Sequence, residues 1–334
     1  MVSCTSISDA YQVEAQLLRT FVTVARLGSF SAAAVELGYT QAAISQQIAA
    51  LEGDLKILLL NRRPVTPIEA GARLLEHAEP ILLRLDAARA DVTRMTRPPS
   101  AALVVGVTPL AGGSRILPLA LAALRQRMPR LDVTVRLGGR DQVLTAVARG
   151  DADLGLTDGL AARGDPLPGF ASLTAAGVSQ AAIAVALPAD HPLAGRPGLR
   201  LTDLADARWI EAPEVTAPLS EIRRLAGVEG FRPALRYDGS DTMSLIRLAA
   251  AGHGLVLLPE TVLPGSSLAG SSLAGSSLPG KPLPGWPLPV TGITAVPVRT
   301  PRVVHRVEFA HGTLRAGSPA AELAALLVLP GSPP

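Results

Sequence analysis

Polar side chains that can bond to the edges of DNA bases lie along one face of a predicted helix near the start of the chain. This helix runs from about Gln41 to Glu52, and its inward face consists of apolar residues: Ile44, Ile48 and Leu51. Because successive residues of a helix are rotated by about 100°, the outward face carries small and polar residues: Ala42, Ser45, Gln46 and Ala49. Amide and hydroxyl groups on such a face can enter a major groove and reach base edges.

Two shorter helical patterns precede this helix and would hold it in place. The first has an apolar face that includes Phe21 and Val24, and Gly28-Ser29-Phe30 ends it. Ser29 or Ser31 can then cap the second helix, which reaches the tight turn Gly38-Tyr39-Thr40. Two helices joined by a short glycine-containing turn are typical of a helix-turn-helix motif.

A small hairpin and a long helix are predicted after this motif. The hairpin covers residues 57–65 and carries Arg62 and Arg63 near its tip. Thr66 is expected to cap the helix, with Pro67 at its first position and Glu69 completing a capping box. The helix extends to about residue 95, and apolar residues at spacings of three and four predict a seam for a partner helix: Leu75, Ala78, Leu82, Leu85 and Val92.

Residues 17–71 resemble the N-terminal domain of LysR-type transcription regulators. A single helix-turn-helix pattern would be weak evidence, but many matches occur here in the same order as in the family. They are Leu18, Phe21, Val24, Gly28-Ser29-Phe30, Ala33-Ala34, Leu37, Gln41, Ser45, Gln47-Ile48, Leu51-Glu52, Leu55, Arg62 and Glu69-Ala70-Gly71. Without this resemblance, the polar face of the third helix would read more simply as a solvated surface.

The resemblance implies a set of DNA contacts. It assigns base or phosphate contacts to four residues of the third helix: Gln41, Ala42, Ser45 and Gln46. It places Arg63, with Arg62 beside it, in a wing that approaches the minor groove. Ser29 or Ser31 would donate to a phosphate at a helix start.

Two departures from the family pattern have physical consequences. Many members carry Arg where this chain has Gln46, which predicts the loss of one contact and a lower affinity for DNA. Lys56 replaces a usual glycine and is expected to strain a turn.

From residue 103 onward the pattern changes to alternating strands and helices, which predicts an α/β domain with a parallel sheet. This region resembles the effector domain of LysR-type regulators, which has two α/β subdomains and is similar to type 2 periplasmic binding proteins. The fold class we expect is therefore α/β: a winged helix-turn-helix, a long linker helix and a two-subdomain α/β effector domain. The stretches that carry the resemblance are LVVGVTPLAGG, RMPRLDVTV, ARGDADLGLTD and AAAGHGLVLLPE.

A small-molecule site is expected at the carboxyl ends of the strands, where open parallel sheets bind their ligands. The loop from Thr108 to Arg115 follows the first strand and opens a helix, an arrangement that favours an anion. We predict effector contacts at Thr108, Gly112, Gly113, Ser114, Thr157, Asp158, Ser240 and Thr242. For any one of these residues, ordinary turn and capping chemistry is an equally good explanation.

We divide the chain into a flexible tail (1–14), a winged helix-turn-helix (15–71), a linker and dimerisation helix with a hinge (72–100) and an effector domain (101–334). In the effector domain, subdomain I comprises about 101–170 and 291–334, and subdomain II about 171–262. Between them, residues 263–290 form a low-complexity loop in which Leu and Gly recur every five residues.

Composition excludes several classes of function. The 334 residues carry a formal net charge of +3, and basic and acidic residues balance within 1–97, so any DNA binding depends on the position of individual arginines. Cys4 is the only cysteine, and no zinc spacing occurs, so we expect no disulfide, metal or cofactor. The histidines show no ligand spacing and are expected mostly at the surface or in turns. No nucleophile or nucleotide-binding motif supports catalysis, and the absence of a signal peptide or membrane-length apolar segment predicts a cytoplasmic protein.

The sequence therefore predicts a transcription regulator that binds double-stranded DNA at an inverted repeat and senses a small, anionic effector. The long helix resembles the dimerisation helix of the family, which implies a homodimer, and the family resemblance also leaves a homotetramer open. RNA polymerase is a further candidate partner. The alternative is a cytoplasmic solute-binding protein without regulatory DNA binding, since residues 102–334 alone resemble one.

Overall fold

The computed structural model of the chain describes residues 14–96, 102–263 and 292–328. The expected tail up to residue 13, the hinge at 97–100 and the repeat from 264 to 290 lie outside these ranges. The chain divides into two compact units, residues 1–88 and 89–334. None of the helices in the described ranges is both long and apolar enough to cross a membrane.

Three helices form the start of the N-terminal unit: α1 (Ala15–Leu27), α2 (Phe30–Leu37) and α3 (Gln41–Leu55). Their apolar faces meet in one core, in which the inward residues predicted for α3 are fully buried together with Phe21 and Val24. Gly28 and Gly38 end α1 and α2 in the left-handed conformation, which glycine adopts without steric cost. The helix-turn-helix prediction is therefore confirmed.

The wing consists of two short antiparallel strands, β1 (Leu60–Arg62) and β2 (Val65–Pro67). The long helix α4 (Glu69–Thr96) follows, and it continues through Pro80. The predicted capping box is wrong, because Thr66 and Pro67 belong to β2 and the Thr66 hydroxyl accepts a hydrogen bond from Asn61 instead. The amide of Ala72 donates to Ile68 O, so Ile68 occupies the capping position.

Part of the predicted partner seam of α4 is used within the chain. Ala78 and Leu82 are buried against Leu18 of α1, and Leu75 packs against the core of the N-terminal unit. The reason is local, since α1 offers an apolar face to the same side of α4. The large apolar residues that remain exposed on residues 69–93 of α4 are Ile81 at 52% and Val92 at 62% of full exposure.

An eight-stranded mixed sheet forms the frame of the C-terminal unit, with seven strands in one order and β10 paired to β6. In chain order the strands and helices are β3 (Ala102–Val107), α5 (Pro109–Gly112), α6 (Ile116–Arg127), β4 (Asp132–Leu137), α7 (Arg140–Arg149), β5 (Leu154–Ala162), β6 (Thr174–Pro188), β7 (Leu199–Arg200), β8 (Trp209–Glu211), α8 (Leu219–Ala226), β9 (Pro233–Arg236), α9 (Thr242–Ala250), β10 (Val256–Pro259), β11 (Ile293–Thr300), β12 (Val303–His311) and α10 (Pro319–Leu327). The strand order is β4-β3-β5-β12-β6-β11-β7, and β8 and β9 form a separate pair. The α/β class is confirmed, but only β3 with its two neighbours and the β7–β11 and β8–β9 pairs are parallel, whereas β12 runs antiparallel to β5 and β6.

Three apolar cores lie against this sheet. Core I, under α6 and α10, includes Leu156 and Phe309, and core II, under α8, includes Leu160 and Val185. Core III lies on the opposite face of β6 from core II, beneath α9, because alternate residues of a strand point to opposite faces. Strands β5 and β12 run from core I into core II, so they connect the two subdomains.

The packing of β11 bears on where the subdomains divide. Val296 and Val298 lie in core II, and Ile293 lies in core III. We propose on this ground to draw the boundary after β11, which moves residues 293–300 from subdomain I to subdomain II.

The expected strain at Lys56 is present in the structure. Lys56 ends α3 with φ of 54° and ψ of 30°, in the left-handed region that disfavours a Cβ atom. Gly28 and Gly38 end the two preceding helices in the same conformation, but with glycine.

We predict that Lys56→Gly stabilises the N-terminal unit by about 0.5–1 kcal/mol, because relief of the left-handed strain exceeds the extra backbone entropy of glycine in the unfolded chain. Hydrogen exchange of the α3 amides measures this as a higher free energy of local opening. Lys56→Ala is the control, since it keeps the Cβ atom and should give no such gain. An equal gain from both variants would attribute the effect to the lysine side chain and contradict the prediction.

Candidate nucleic-acid interface and ligand cleft

The residues predicted to contact bases share the outward face of α3. Gln41, Ala42 and Gln46 are exposed and Ser45 is half-buried, while Ile44 and Ile48 on the opposite face are fully buried. Thr40 caps the helix by accepting a hydrogen bond of 3.2 Å from Ala43 N. The helix therefore presents a narrow surface of amide, hydroxyl and methyl groups.

The N-termini of α2 and α3 lie next to each other. The Ser31 hydroxyl donates to Gln41 Oε1 at 3.1 Å, which joins two of the predicted DNA-contacting residues directly. Ser29 caps α2 and accepts a hydrogen bond from Ala32 N at 3.2 Å, so its hydroxyl hydrogen can still donate outward. Two helix N-termini with hydroxyl donors at one surface are suited to phosphate binding.

The two wing arginines differ in their surroundings. Arg62 donates through Nη2 to Glu52 Oε2 at 2.8 Å, and its guanidinium lies 5.1 Å from the centre of the Phe30 ring. Arg63 is exposed, and the described part of the chain offers it neither a hydrogen bond nor an ion pair. Arg62 thus holds the wing against the helices, whereas Arg63 projects freely from the tip.

Glu52 is a structural residue that the sequence alone did not single out for this role. It is buried, and its Oε1 atom accepts hydrogen bonds from Leu59 N at 2.9 Å and Leu60 N at 3.4 Å. Together with the Arg62 ion pair, these bonds fix the start of β1 to the end of α3. An acidic residue directly after the buried Leu51 was the available signal, but the donors that bond to it could not be assigned without the wing in place.

In the C-terminal unit the structure joins two of the predicted effector residues in a buried network. The Thr108 hydroxyl donates to Asp158 Oδ1, which also accepts from Ala111 N at 3.3 Å. His305 Nε2 lies 2.8 Å from Asp158 Oδ2. Thr108, Asp158 and His305 are 4%, 8% and 6% exposed, so the network is closed to bulk water.

The other donors of the predicted effector loop are also engaged within the protein. The amides of Gly112, Gly113 and Ser114 donate to carbonyls of the same loop at 2.8–3.2 Å, and the Ser114 hydroxyl donates to Ala111 O at 2.6 Å. A Cβ atom at Gly112 would lie 2.9 Å from Val107 Cγ2, so glycine is needed here for packing against β3. Effector contacts by these loop residues stay a prediction.

The remaining predicted effector residues lie apart from this network. Thr157 is buried on the face of β5 opposite to Asp158. Ser240 and Thr242 flank Asp241, which caps α9 by accepting from Ser244 N at 2.8 Å. Hydrogen bonds from Ser244, through its side chain and then its amide, hold the pKa of Asp241 below its usual value.

The loop after β3 reaches across to the second subdomain. Leu110 of α5 is buried in core III together with Leu245 and Ile246 of α9. This contact brings the segment that begins at Thr108 and the helix that follows Ser240 into one apolar cluster. No hydrogen bond joins the two segments within the described residues. The contacts of both segments with an effector remain predictions.

Two arginines of the C-terminal unit carry buried nitrogen atoms that lack partners within the described residues. The Nε atoms of Arg115, at the start of α6, and Arg140, at the start of α7, are buried without a hydrogen-bond partner within the described part of the chain. Arg140 donates through another nitrogen to Pro168 O. Burial raises the pKa of Glu221 on α8, while the nearby positive charges of Arg224 and Arg140 act against this rise. A Cβ atom at Gly139, next to Arg140, would lie 2.6 Å from Glu214 Oε2, so the start of α7 is close to the second subdomain.

His305 is an exception to the expectation that the histidines lie mostly at the surface or in turns, which the exposed His77 and His253 follow. It is buried in β12 and bonds to a carboxylate 147 positions earlier in the chain. The local sequence around it is an ordinary strand pattern and gives no sign of this partner. The described residues hold no cluster of three or more His, Cys, Asp or Glu side chains suited to a metal ion.

Comparison with known proteins identifies both units. Residues 15–72 match the family model "bacterial regulatory helix-turn-helix protein, lysR family", and residues 96–296 match "LysR substrate binding domain". A probable hydrogen peroxide-inducible genes activator from Mycobacterium avium is 30% identical over 257 residues, covering 76% of this chain and 80% of the relative. The transcriptional dual regulator GltC from Bacillus subtilis is 29% identical over 254 residues, covering 75% and 81%.

Among solved structures, oxidized OxyR from Corynebacterium glutamicum is 22% identical to this chain, with a TM-score of 0.46. The match covers 95% of this chain and 91% of the OxyR chain. The two curated relatives are transcription regulators or activators of genes, and the helix-turn-helix is matched along its length, so the alternative of a plain solute-binding protein is wrong. The chain belongs to the LysR family of bacterial transcription regulators and combines a helix-turn-helix DNA-binding domain with an effector-binding domain.

Proposed function

We propose that this regulator binds double-stranded DNA at an inverted repeat through α3 and the wing, and that a small molecule bound in the C-terminal unit controls this binding. The observation that carries the proposal is the exposed face of α3, where Gln41, Ser45 and Gln46 lie opposite fully buried apolar residues. Amide side chains can bond to adenine in the major groove, and serine can bond to several bases.

We assign the other predicted DNA contacts according to whether each side chain is free to reach DNA. Ser29 lies at the N-terminus of α2 and its free hydroxyl hydrogen would donate to a phosphate. Ser31 donates to Gln41 Oε1, so its contribution would be to position that side chain and to accept from a bridging water. Arg63 projects from the wing and would enter the minor groove, where narrow A·T-rich segments attract arginine. Arg62 is committed to Glu52, so its contribution to DNA binding is to hold Arg63 and the wing in position.

We propose that two chains pair along α4. Ile81, Leu85, Ala88 and Val92 are spaced by four, three and four residues, and three of them are exposed while Leu85 is half-buried. This spacing places them along one side of the helix, as in a coiled-coil seam. A dimer would present two copies of α3 to the two halves of an inverted repeat, and a tetramer would double this arrangement.

We propose that the effector binds between the two subdomains of the C-terminal unit, and that an anionic group of the effector binds to Arg115 and Arg140. The support is the buried, unpartnered Nε atom of each residue, since a buried guanidinium donor without a partner is costly unless an anion supplies one. The donors of the loop after β3 are already engaged, so we propose that the anion binds to these arginines beside the loop.

We propose further that the protein acts in the cytoplasm, contacts RNA polymerase when it activates transcription, and has no catalytic role. Thr108, Asp158 and His305 contain the groups of a hydrolytic triad, but the hydroxyl donates to the carboxylate and not to the imidazole. A nucleophile needs the imidazole as its proton acceptor, so this order supports a binding role.

We predict that Gln41→Ala combined with Ser45→Ala weakens binding to DNA from upstream of the protein's own gene by about 10–100-fold, because each lost base contact is worth about 1–3 kcal/mol. Fluorescence anisotropy at a fixed salt concentration measures this change. Gln126→Ala, which removes the same amide from the exposed surface of α6, is the matched control and should bind as the wild type does. Equal affinities for the double variant and this control would refute the assignment of α3.

We predict that Gln46→Arg tightens DNA binding and makes it more dependent on salt, because the guanidinium would add one phosphate contact. The slope of log K against log salt should become steeper by about 1. Gln46→Met is the control, since it has similar length without charge and should leave the slope unchanged. An unchanged slope for Gln46→Arg would show that residue 46 does not face the DNA backbone.

We predict that Ile81→Asp separates the subunits, because it places a charge in the apolar seam of α4. The dissociation constant of the dimer, measured by analytical ultracentrifugation, should rise by about 30-fold or more, as for a truncated hot-spot residue. Ala72→Asp introduces the same charge at an exposed site on the opposite face of α4 and should leave the dimer intact. A dimer that withstands Ile81→Asp would place the interface elsewhere.

A further inference from the structure

Asp158 occupies a central position between the two subdomains. It lies on β5 between Leu156, which belongs to core I, and Leu160, which belongs to core II. Strand β5 continues past Asp158 to Ala162 because β12 pairs with it along this whole stretch. The carboxylate is therefore held on one face of the sheet, where β5 passes from the first subdomain to the second.

Three donors from two separate segments, the loop after β3 and strand β12, converge on this carboxylate. They are the hydroxyl of Thr108, the amide of Ala111 and the ring nitrogen Nε2 of His305. A hydroxyl, a backbone amide and an imidazole around one carboxylate are the groups by which proteins commonly bind the carboxylate of a small molecule. Here the carboxylate belongs to the protein itself.

The rest of the loop offers little to a second anion. The amide of Thr108 donates to Leu156 O at 3.0 Å, and the amides of Gly112 and Gly113 donate to Thr108 O and Pro109 O. Pro109 has no amide hydrogen. A second carboxylate placed at this loop would therefore meet few free donors and would lie next to the charge of Asp158, which is unfavourable at short range.

We propose that the Asp158 carboxylate is a resident anion, which occupies the position where the loop after β3 would otherwise bind a carboxylate from solution. This inference rests on the proposed function, since it concerns the same effector cleft. It deepens that proposal by dividing the effector into two parts. The anionic group of the effector lies at Arg115 and Arg140, and any group of the effector that reaches the loop after β3 is uncharged or a hydrogen-bond donor.

The inference predicts that removing the carboxylate creates a binding site for a small carboxylate. Asp158→Ala leaves the three donors in place around a space of the size of the lost group, which formate matches closely. Formate should therefore bind to the full-length Asp158→Ala protein and raise its thermal unfolding midpoint. At a formate concentration of a hundred times Kd, the ratio of folded to unfolded protein should rise by about a hundredfold.

The controls separate specific binding from a general salt effect. Sodium chloride at equal concentration should not reproduce the shift in Asp158→Ala. The wild type and Asp158→Asn should respond equally to the two salts, because in both proteins a side chain fills the space. Adding Thr108→Val to Asp158→Ala removes one donor and should raise the Kd for formate by about tenfold or more.

An equal response of Asp158→Ala to formate and to chloride would overturn the proposal, as would a formate-specific shift of the same size in the wild type. If Asp158→Ala does not accumulate as folded protein, the refolding yields in the two salts are compared. A yield that recovers only in formate supports the proposal, and equal yields overturn it. These measurements involve neither DNA nor effector, so their failure leaves the DNA-binding proposal standing, and the loss of that proposal would not change their result.

Discussion

The burial of one face of α3 is the constraint on which the N-terminal unit depends. Ile44, Ile48 and Leu51 are fully removed from water, and burial of side chains of this size contributes about 1.5–3 kcal/mol each. Once this face is fixed in the core, the direction of the opposite face is fixed as well, since the helix is rigid. The polar surface of α3 is thus a consequence of packing behind it, and the same core positions the Ser31 hydroxyl beside Gln41.

Buried carboxylates organise the surroundings of both candidate sites. A carboxylate without partners is very costly inside a protein, so each must gather donors around it. Glu52 gathers the amides of Leu59 and Leu60 and the guanidinium of Arg62, and this joins the wing to α3. Asp158 gathers Thr108, Ala111 and His305, and this joins β3, β5 and β12 where the two subdomains meet. In both units, a buried carboxylate thus fixes neighbouring segments to each other.

Local signals predicted the helices closely because caps and apolar periodicity act within a few residues. The apolar face of α3 and the stops of α1 and α2 at Gly28 and Gly38 act at this range, and the structure keeps them. Strand lengths depend on more distant partners. Strand β5 extends to residue 162 and β6 starts at residue 174 because both pair with β12, which lies far away in sequence. The capping of α4 failed for a related reason, because pairing with β1 drew Thr66 and Pro67 into a strand.

The sequence by itself determined the family resemblance, the α/β class, the polar face of α3 and the strained turn at Lys56, since each follows from residue types at short spacing. Only the tertiary structure decided which hydrogen-bond donor pairs with which acceptor. Arg62 became bound to Glu52 across 10 positions, and Asp158 met His305 across 147. Spacing along a chain carries no information on such partners, because they become neighbours only when the strands between them have paired.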